Sequence, residues 1–188
     1  MTVTGSSLDQ RVTVLRLDYD PQTDTYAWKE DRRTWAAAKQ DTGRNLFSTV
    51  GIGARGVTFT LRRNRRLTLF HAIRWRSWFC FLTAILDSDP GFVEIKAALC
   101  EPVECRKDAD QETPGCSFPG ILTEKYAGHQ QLDPQAEVTG DFVLVTPKTV
   151  ALAPGSWVSA DGVYYLVRVP HEQDACKNEY EVRRKVDC

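Results

Sequence analysis

The chain has 188 residues, of which 42% are hydrophobic, 26% charged and 10% aromatic, and its formal net charge is −1. This length allows one domain or two small ones with a real core. The composition excludes a disordered chain, a collagen and a coiled coil. The longest apolar stretch, Trp78 to Leu86, is about half as long as a membrane-spanning helix must be, so we expect no membrane partner. Residues 1–11 have neither a basic start nor an apolar run, so we expect no secretory signal and a reducing compartment.

The small net charge conceals an asymmetry along the chain. Residues 1–100 carry a net charge of +5, whereas residues 101–188 carry −6. Ends of opposite sign suit a protein that packs against copies of itself or lies between two partners. A chance difference between two half-chains would produce the same numbers, so both interpretations stay open.

Alternating or continuous apolar runs indicate strands through the first hundred residues, with turn-forming residues between them. The three alanines at 36–38 would permit a helix on propensity, but the shortness of their segment favours a strand. About seven strands at hairpin spacing predict a small β-barrel or sandwich over residues 1–100. The predicted strands are Arg11–Asp18, Tyr26–Trp28, Arg33–Lys39, Val57–Leu61, Leu67–Phe70, Trp78–Ile85 and Phe92–Leu99.

The rest of the chain predicts a linker followed by more strands. Residues 101–141 hold nine acidic and three basic residues with little periodicity, so we expect an acidic linker and surface loops there. Residues 142–188 predict a second, smaller β module, in which Asp161-Gly162 is typical of a hairpin turn. The predicted fold class is therefore all-β, a small barrel or sandwich with long loops plus this C-terminal module. Its predicted strands are Phe142–Val145, Val150–Leu152, Trp157–Val158, Val163–Val169 and Glu179–Val186.

A weak internal repeat links the two parts. Leu67–Ile85 aligns with Val150–Pro170, and Val93–Lys96 aligns with Tyr180–Arg183. Each copy contains a hairpin, a turn and a return strand. A duplication explains the match, but two unrelated β-meanders would align about as well.

The segment Gln40–Gly56 contains four glycines and predicts a long, exposed and mobile loop, which in a compact domain often carries function. Its residues 51–56 fit the letters G-x-G-x-x-G. A dinucleotide site would need a helix after them and an acidic residue about twenty positions later, and both are missing. We expect the loop to keep apolar groups for a partner. Its candidate residues are Leu46, Phe47, Val50, Gly51, Ile52, Gly53, Arg55 and Gly56.

Arginines form the densest basic cluster, and the aromatic residues Phe70, Trp75 and Trp78 lie among them in the sequence. Such interleaving could contact nucleic-acid phosphates and bases, or an acidic protein surface. The alternative is a solvated hairpin tip that protects a sheet edge. The candidate interface residues are Arg62, Arg63, Arg65, Arg66, Arg74 and Arg76.

The cysteines and histidines predict neither a metal site nor catalysis. Cys100, Cys105, Cys116 and His129 would give a C-x4-C-x10-C-x12-H set, which lacks the closely spaced ligand pairs of zinc sites. We therefore expect free thiols, no metal and no cofactor. No nucleophile motif accompanies the three histidines, so we expect no catalytic residues.

The motifs of residues 8–100 resemble the head–tail connector proteins of tailed bacteriophages, also called head-completion, stopper or head–tail joining proteins. The resemblance rests on the opening strand R-V-T-V-L-R, on Thr34–Ala38, on the Gly-containing loop and on Val57–Arg62, where the family often has v-x-f-x-i-R. In the predicted strand Trp78–Ile85, Phe81 stands where the family usually has a tyrosine. Residues 101–188 depart from the short form of the family.

The resemblance implies a structural virion protein of the phage neck, assembled in the bacterial cytoplasm. It would form a ring, hexameric or dodecameric, between a portal or adaptor protein and a tail terminator or tail tube, with its long loop projecting into the channel to help retain DNA. Alternatives are another tail component such as a tail terminator, an enzyme of unrecognised type, and a β-barrel that binds sugar or oligonucleotide. In that binding module, Trp35, Trp75 and Trp157 would be exposed platforms.

Overall fold

A computed structural model describes residues 7–45, 54–64, 67–68, 70–86, 90–108, 115–124, 141–171 and 177–185. These residues form twelve strands and no α-helix, which confirms the all-β prediction. No helix in the described part of the chain is long and apolar enough to cross a membrane. The strands are β1 (Gln10–Asp20), β2 (Thr25–Asn45), β3 (Ala54–Arg62), β4 (His71–Trp75), β5 (Trp78–Leu86), β6 (Phe92–Cys100), β7 (Val103–Asp108), β8 (Ser117–Glu124), β9 (Asp141–Pro147), β10 (Trp157–Ala160), β11 (Val163–His171) and β12 (Lys177–Arg184).

The strands divide into two compact units, and in each of them six strands close into a barrel. The described part of the first unit holds residues 7–19, 26–45 and 54–101. Its strands follow the order β1-β4-β5-β6-β3-β2, and a β1–β2 pairing closes the ring. The second unit contains β7 to β12 in the order β8-β7-β10-β11-β12-β9, closed by a β8–β9 pairing. The predicted β-barrel is thus present, and the C-terminal module is a barrel as well.

The two barrels have the same strand order and the same register. If β1 to β6 are matched in turn with β7 to β12, each neighbour in one ring corresponds to a neighbour in the other. Each of the four residue pairs from Ala72↔Phe81 to Trp75↔Trp78 in the β4–β5 hairpin has its β10–β11 equivalent 85 residues later. The β-bulge in β5, between Leu82 and Ala84, recurs in β11 between Val167 and Val169. A shared bulge at the same place in the ladder is a specific feature, so the two barrels have the form of a duplication. The sequence alignment of Val93–Lys96 with Tyr180–Arg183 is wrong by two residues, because the registers make Asn178 the counterpart of Val93.

Inward-facing apolar side chains fill each barrel, as the period of two requires. In the first barrel, Phe59 and Trp75 meet edge to face with ring centroids 5.7 Å apart. In the second barrel, Phe142 and Tyr165 make a similar edge-to-face contact, with ring centroids 5.6 Å apart. Each core therefore contains one T-shaped aromatic pair, although the two pairs stand at different positions.

The loop before β4 or β10 closes one end of each barrel, where the sequence predicted the strands Leu67–Phe70 and Val150–Leu152. The described residues of these segments are not strands. Instead Leu67 and Leu152, which are 85 positions apart, are both buried. Backbone turns bend both loops, with the N–H of Leu67 donating to Asn64 and the N–H of Val150 donating to Pro147. Burial of one leucine by a turn, and not a strand pairing, accounts for these apolar patterns.

The predicted linker at 101–141 is wrong wherever this segment is described. Residues 103–108 and 117–124 are β7 and β8 of the second barrel. Cys105 is fully buried between the exposed side chains of Glu104 and Arg106, so a real period of two is hidden by the charges on its outer face. Pro119 is tolerated because the β8–β9 ladder begins only at Ile121, beyond the position where its missing N–H would be needed.

Candidate functional site

The segment predicted as a channel loop begins and ends as strand. Arg44 and Asn45 of β2 pair with Arg55 and Ala54 of β3, whereas β6 pairs with β3 only from Gly56 onward. They form a two-stranded extension past that ladder, which we call the β2–β3 arm. The register jumps from Gln40↔Val57 to Arg44↔Arg55, so a bulge marks the base of the arm.

The candidate loop residues therefore separate into two groups. Arg55 is exposed on β3 and Gly56 is buried in the same strand, so neither lies in a loop as the sequence predicted. The strand pattern that begins at Val57 simply starts three residues earlier, at Ala54. The other candidates, Leu46, Phe47, Val50, Gly51, Ile52 and Gly53, lie outside the described residues.

The structure does not bring the four described candidate arginines into one cluster. Arg62 ends β3 and Arg74 lies in β4, and two other strands separate β3 from β4 in either direction around the barrel. Arg62 and Arg63 are exposed, and the backbone N–H of Arg63 donates to the carbonyl of Gly91 at 2.9 Å. Arg65 and Arg66 lie outside the described residues.

Arg74 and Arg76 occupy the β4–β5 hairpin and have different surroundings. Arg74 forms an exposed ion pair with Glu30, with an Nη1–Oε1 distance of 3.1 Å. The guanidinium of Arg76 lies 4.8 Å from the centroid of the Trp75 ring, and its Nη2 donates to Gln10 Oε1 at 3.4 Å. Arg76 has a φ of 56°, which costs an L-residue other than glycine about 1 kcal/mol or more. The turn thus holds one cation in a strained but anchored position.

Only one of the three predicted tryptophan platforms is freely exposed. Trp35 is 54% exposed, whereas Trp75 is only 5% exposed because it lies in the core. Trp157 is half-buried, and Lys185 Nζ lies 5.7 Å from its ring centroid. The register Ala36↔Leu61 places Trp35 opposite Arg62 on the outer wall. Trp78, which was not among the platforms, is 42% exposed.

A recess of about 440 Å³ lies on the second barrel beside β7, β10 and β11. Its lining includes the side chains of Glu104, Arg106, Ser159, Asp161 and Tyr164. The backbone N–H of Asp161 donates to the carbonyl of Glu104 at 3.1 Å and holds the β10–β11 turn against β7. Asp161 and Gly162 have φ of 48° and 78°, as a type I′ hairpin requires. This recess was not predicted from the sequence, because Glu104 and Arg106 lie in the segment interpreted as a linker.

Buried polar groups in the second barrel hold its end loop and have a structural role. Asn178 Nδ2 and Thr146 Oγ1 donate to the carbonyl of Val150 at 3.0 and 2.8 Å. The backbone N–H of Leu152 donates to the Tyr180 hydroxyl at 3.0 Å. Each hydrogen bond satisfies a group that would be costly to bury alone.

The described cysteines are free thiols. Burial is the main cause that raises the pKa of Cys80 and Cys105 to about 12, and that of Cys116 to about 11. Such thiols are poor nucleophiles at neutral pH. Within the described part of the chain, no group of three or more His, Cys, Asp or Glu side chains is placed to hold a metal ion. His129 of the rejected metal pattern lies outside it.

Comparison with known proteins identifies no family. No family model matches the chain, and no curated protein matches it. Among solved structures, the chain is similar to the Bacillus subtilis inhibitor of motility (MotI/DgrA), with 7% sequence identity over 96% of this chain and 90% of that chain. The TM-score of this match is 0.17, so it supports no argument about fold or function.

Proposed function

We propose that the protein is a structural component of the neck of a tailed bacteriophage, where copies form a ring between the portal side and the tail. The observation that carries the proposal is the β2–β3 arm. It extends past the β3–β6 ladder in the segment where the resemblance to head–tail connectors places a channel loop. The Val57–Arg62 motif that supports the resemblance lies in β3, directly after the arm.

The exposed charges of the first barrel are consistent with assembly. Arg62, Arg63 and Arg76 are exposed cations, and exposed ion pairs contribute little to folding, typically up to about 1 kcal/mol each. Charges of this kind act mainly on the choice and rate of association. Rings use heterologous interfaces, in which two different surfaces of the same chain meet.

The test is a phage with an amber stop codon in this gene, grown in a host without a suppressor. We expect filled heads that lose their DNA and tails of normal length that remain unattached. Purified protein added to such an extract should restore joined particles. Normal particles from the amber phage would contradict the proposal, and full heads with overlong tails would indicate a tail terminator instead.

An oligonucleotide-binding module is the second candidate, favoured by Trp35 and Arg62 side by side on the outer wall. A base stacked on an exposed tryptophan, with a cation beside it for phosphate, is the usual platform for single strands. Titration with a labelled dT12 oligonucleotide tests this, with Trp35→Ala as the variant and Trp78→Ala as its control. Micromolar binding that Trp35→Ala alone abolishes would favour the module over the neck protein.

A further inference from the structure

The shared register of the two barrels allows their surfaces to be compared position by position. The pairs of β3 with β6 and of β9 with β12 again differ by 85 residues throughout. For β1 and β7 the difference is 93, since Val12↔Trp75 corresponds to Cys105↔Ala160. Each outward residue of these strands therefore has a defined counterpart in the other barrel.

At one such site the charges are inverted. Continued by one residue past its last pair, Val12↔Trp75, the β1–β4 register sets Arg11 beside Arg76 of the β4–β5 turn. Continued in the same way past Cys105↔Ala160, the β7–β10 register sets Glu104 beside Asp161 of the β10–β11 turn. All four side chains are exposed. Neighbouring like charges at a sheet surface repel each other, so each barrel has two like charges side by side at the same place, basic in one and acidic in the other.

Arg76 donates to Gln10 and lies over the Trp75 ring, and Arg106 lines the same recess as Glu104 and Asp161. No ion pair within 4.0 Å involves Arg11, Arg76, Glu104 or Asp161 in that part of the chain. The shapes of the two sites also differ. The acidic pair borders the 440 Å³ recess, which Arg106, Ser159 and Tyr164 also line. A cation entering it meets two carboxylates and two hydroxyl groups that can accept hydrogen bonds, beside one guanidinium. The basic pair has a guanidinium fixed over the Trp75 ring at the tip of a hairpin.

We propose that the Arg11–Arg76 hairpin end of one copy binds in the Glu104–Asp161 recess of a second copy. The guanidinium groups would meet two carboxylates, an arrangement that arginine forms with good geometry. The two surfaces are different parts of one chain, so the contact is heterologous and closes into a ring or continues as a filament. This contact rests on the self-assembly proposed above as part of the function, and the two surfaces are those through which the copies would associate.

The test uses charge reversal and mixing of full-length chains. One variant is Arg11→Glu with Arg76→Glu, and the other is Glu104→Arg with Asp161→Arg. Oligomers are measured by sedimentation velocity at 50 mM and 500 mM NaCl, after circular dichroism has established that each chain is folded. A matched control, Lys39→Glu with Lys96→Glu, changes the same net charge at exposed positions of the first barrel.

We expect each reversed chain alone to associate at least about tenfold more weakly than the wild type at 50 mM NaCl, while the control does not change. An equimolar mixture of the two reversed chains should recover assembly, because acidic ends then meet basic ends. A single chain with all four reversals should also assemble. If a reversed chain fails to fold, the neutral pair Arg11→Gln with Arg76→Gln should still weaken association and its salt dependence.

Three results would overturn the contact, and they can be distinguished from one another. If the wild type assembles and both reversed chains assemble equally well, the contact is wrong but the ring stands. If the wild type stays monomeric at every concentration and salt level, self-assembly fails together with the contact. Weakened assembly that mixing does not restore would also exclude a direct pairing of the two surfaces.

Discussion

Gly120 offers a sharp test of packing in the second barrel. It lies in β8 opposite Val103, facing inward. A Cβ atom there would stand 2.7 Å from Cys105 Sγ and 3.0 Å from Leu144 Cδ1. Both of these neighbours are fully buried, at 0% exposure, and thus have little space to move into. Gly120→Ala should therefore strain the core.

The expected cost follows from two opposed effects. Overpacking a well-filled core usually costs about 1–3 kcal/mol. Gly120 does not have a positive φ, so alanine fits the backbone and should return about 0.4–1 kcal/mol through a less flexible unfolded chain. We expect a net loss of about 1–2 kcal/mol in the free energy of unfolding.

A double-mutant cycle in urea, followed by far-ultraviolet circular dichroism, measures the clash itself. Cys105→Ala removes the sulfur, so Gly120→Ala should cost about 1 kcal/mol less in that background. The control is Gly155→Ala, where φ is 82° and no atom lies within 4 Å of the new Cβ. Its cost comes from the backbone alone and should be the same with or without Cys105. A stabilising Gly120→Ala, or additive effects with Cys105→Ala, would refute the packing argument.

Three further predictions concern the first barrel and the thiols. Burial raises the pKa of Cys80 and Cys105 to about 12, so only about one thiol in ten thousand is ionised at pH 8 and both should resist alkylation in the native protein. Both should react fully in urea, and rapid labelling of the native protein in mass spectrometry would contradict the prediction. Burial lowers the pKa of His71 below its ordinary 6.5, so the unfolded state binds the proton more readily and the protein should lose stability as the pH drops below about 6.5. The urea midpoint should therefore be lower at pH 5.5 than at pH 7.5, and His71→Asn should remove this contribution to the difference. The last variant replaces Arg62, Arg63, Arg65 and Arg66 by serine. It should leave the melting temperature nearly unchanged but weaken an assembly that is sensitive to salt. If the variant assembles normally at all salt concentrations, these arginines are merely solvated.

The sequence predicted those elements whose local signals agree with their packing. Val57–Leu61 alternates cleanly because one face of β3 fills the core, and the structure places it within Ala54–Arg62. The turn Asp161-Gly162 was predictable because a two-residue hairpin needs positive φ, and both residues have it. The tertiary contacts of barrel closure, such as β1 with β4, join distant segments and left no comparable local signal.

The acidic site was hidden by the same charges that define it. Glu104 and Arg106 made β7 look like a linker, although Cys105 between them is fully buried. The internal repeat was only a partial signal. β7 lies 93 residues after β1, whereas an offset of 85 relates the later strands of the two barrels, so the repeat extended at a constant spacing would have missed β7.

The two cores show which differences between the barrels packing can explain. Trp75 and Cys80 of the first barrel correspond to Ala160 and Tyr165 of the second, so a large and a small side chain have exchanged positions. Cores accept such swaps when total volume is kept, and these swaps blur the repeat in sequence while the register persists.

No such compensation applies to the inverted pairs on the outside. Arg11 and Arg76, like Glu104 and Asp161, are exposed and fill no space in either core. Like charges side by side repel each other, so they add nothing to the stability of their own barrel. The contact proposed above would supply each of them with a partner of opposite sign, and the mixing experiment with the charge-reversed chains decides whether it does.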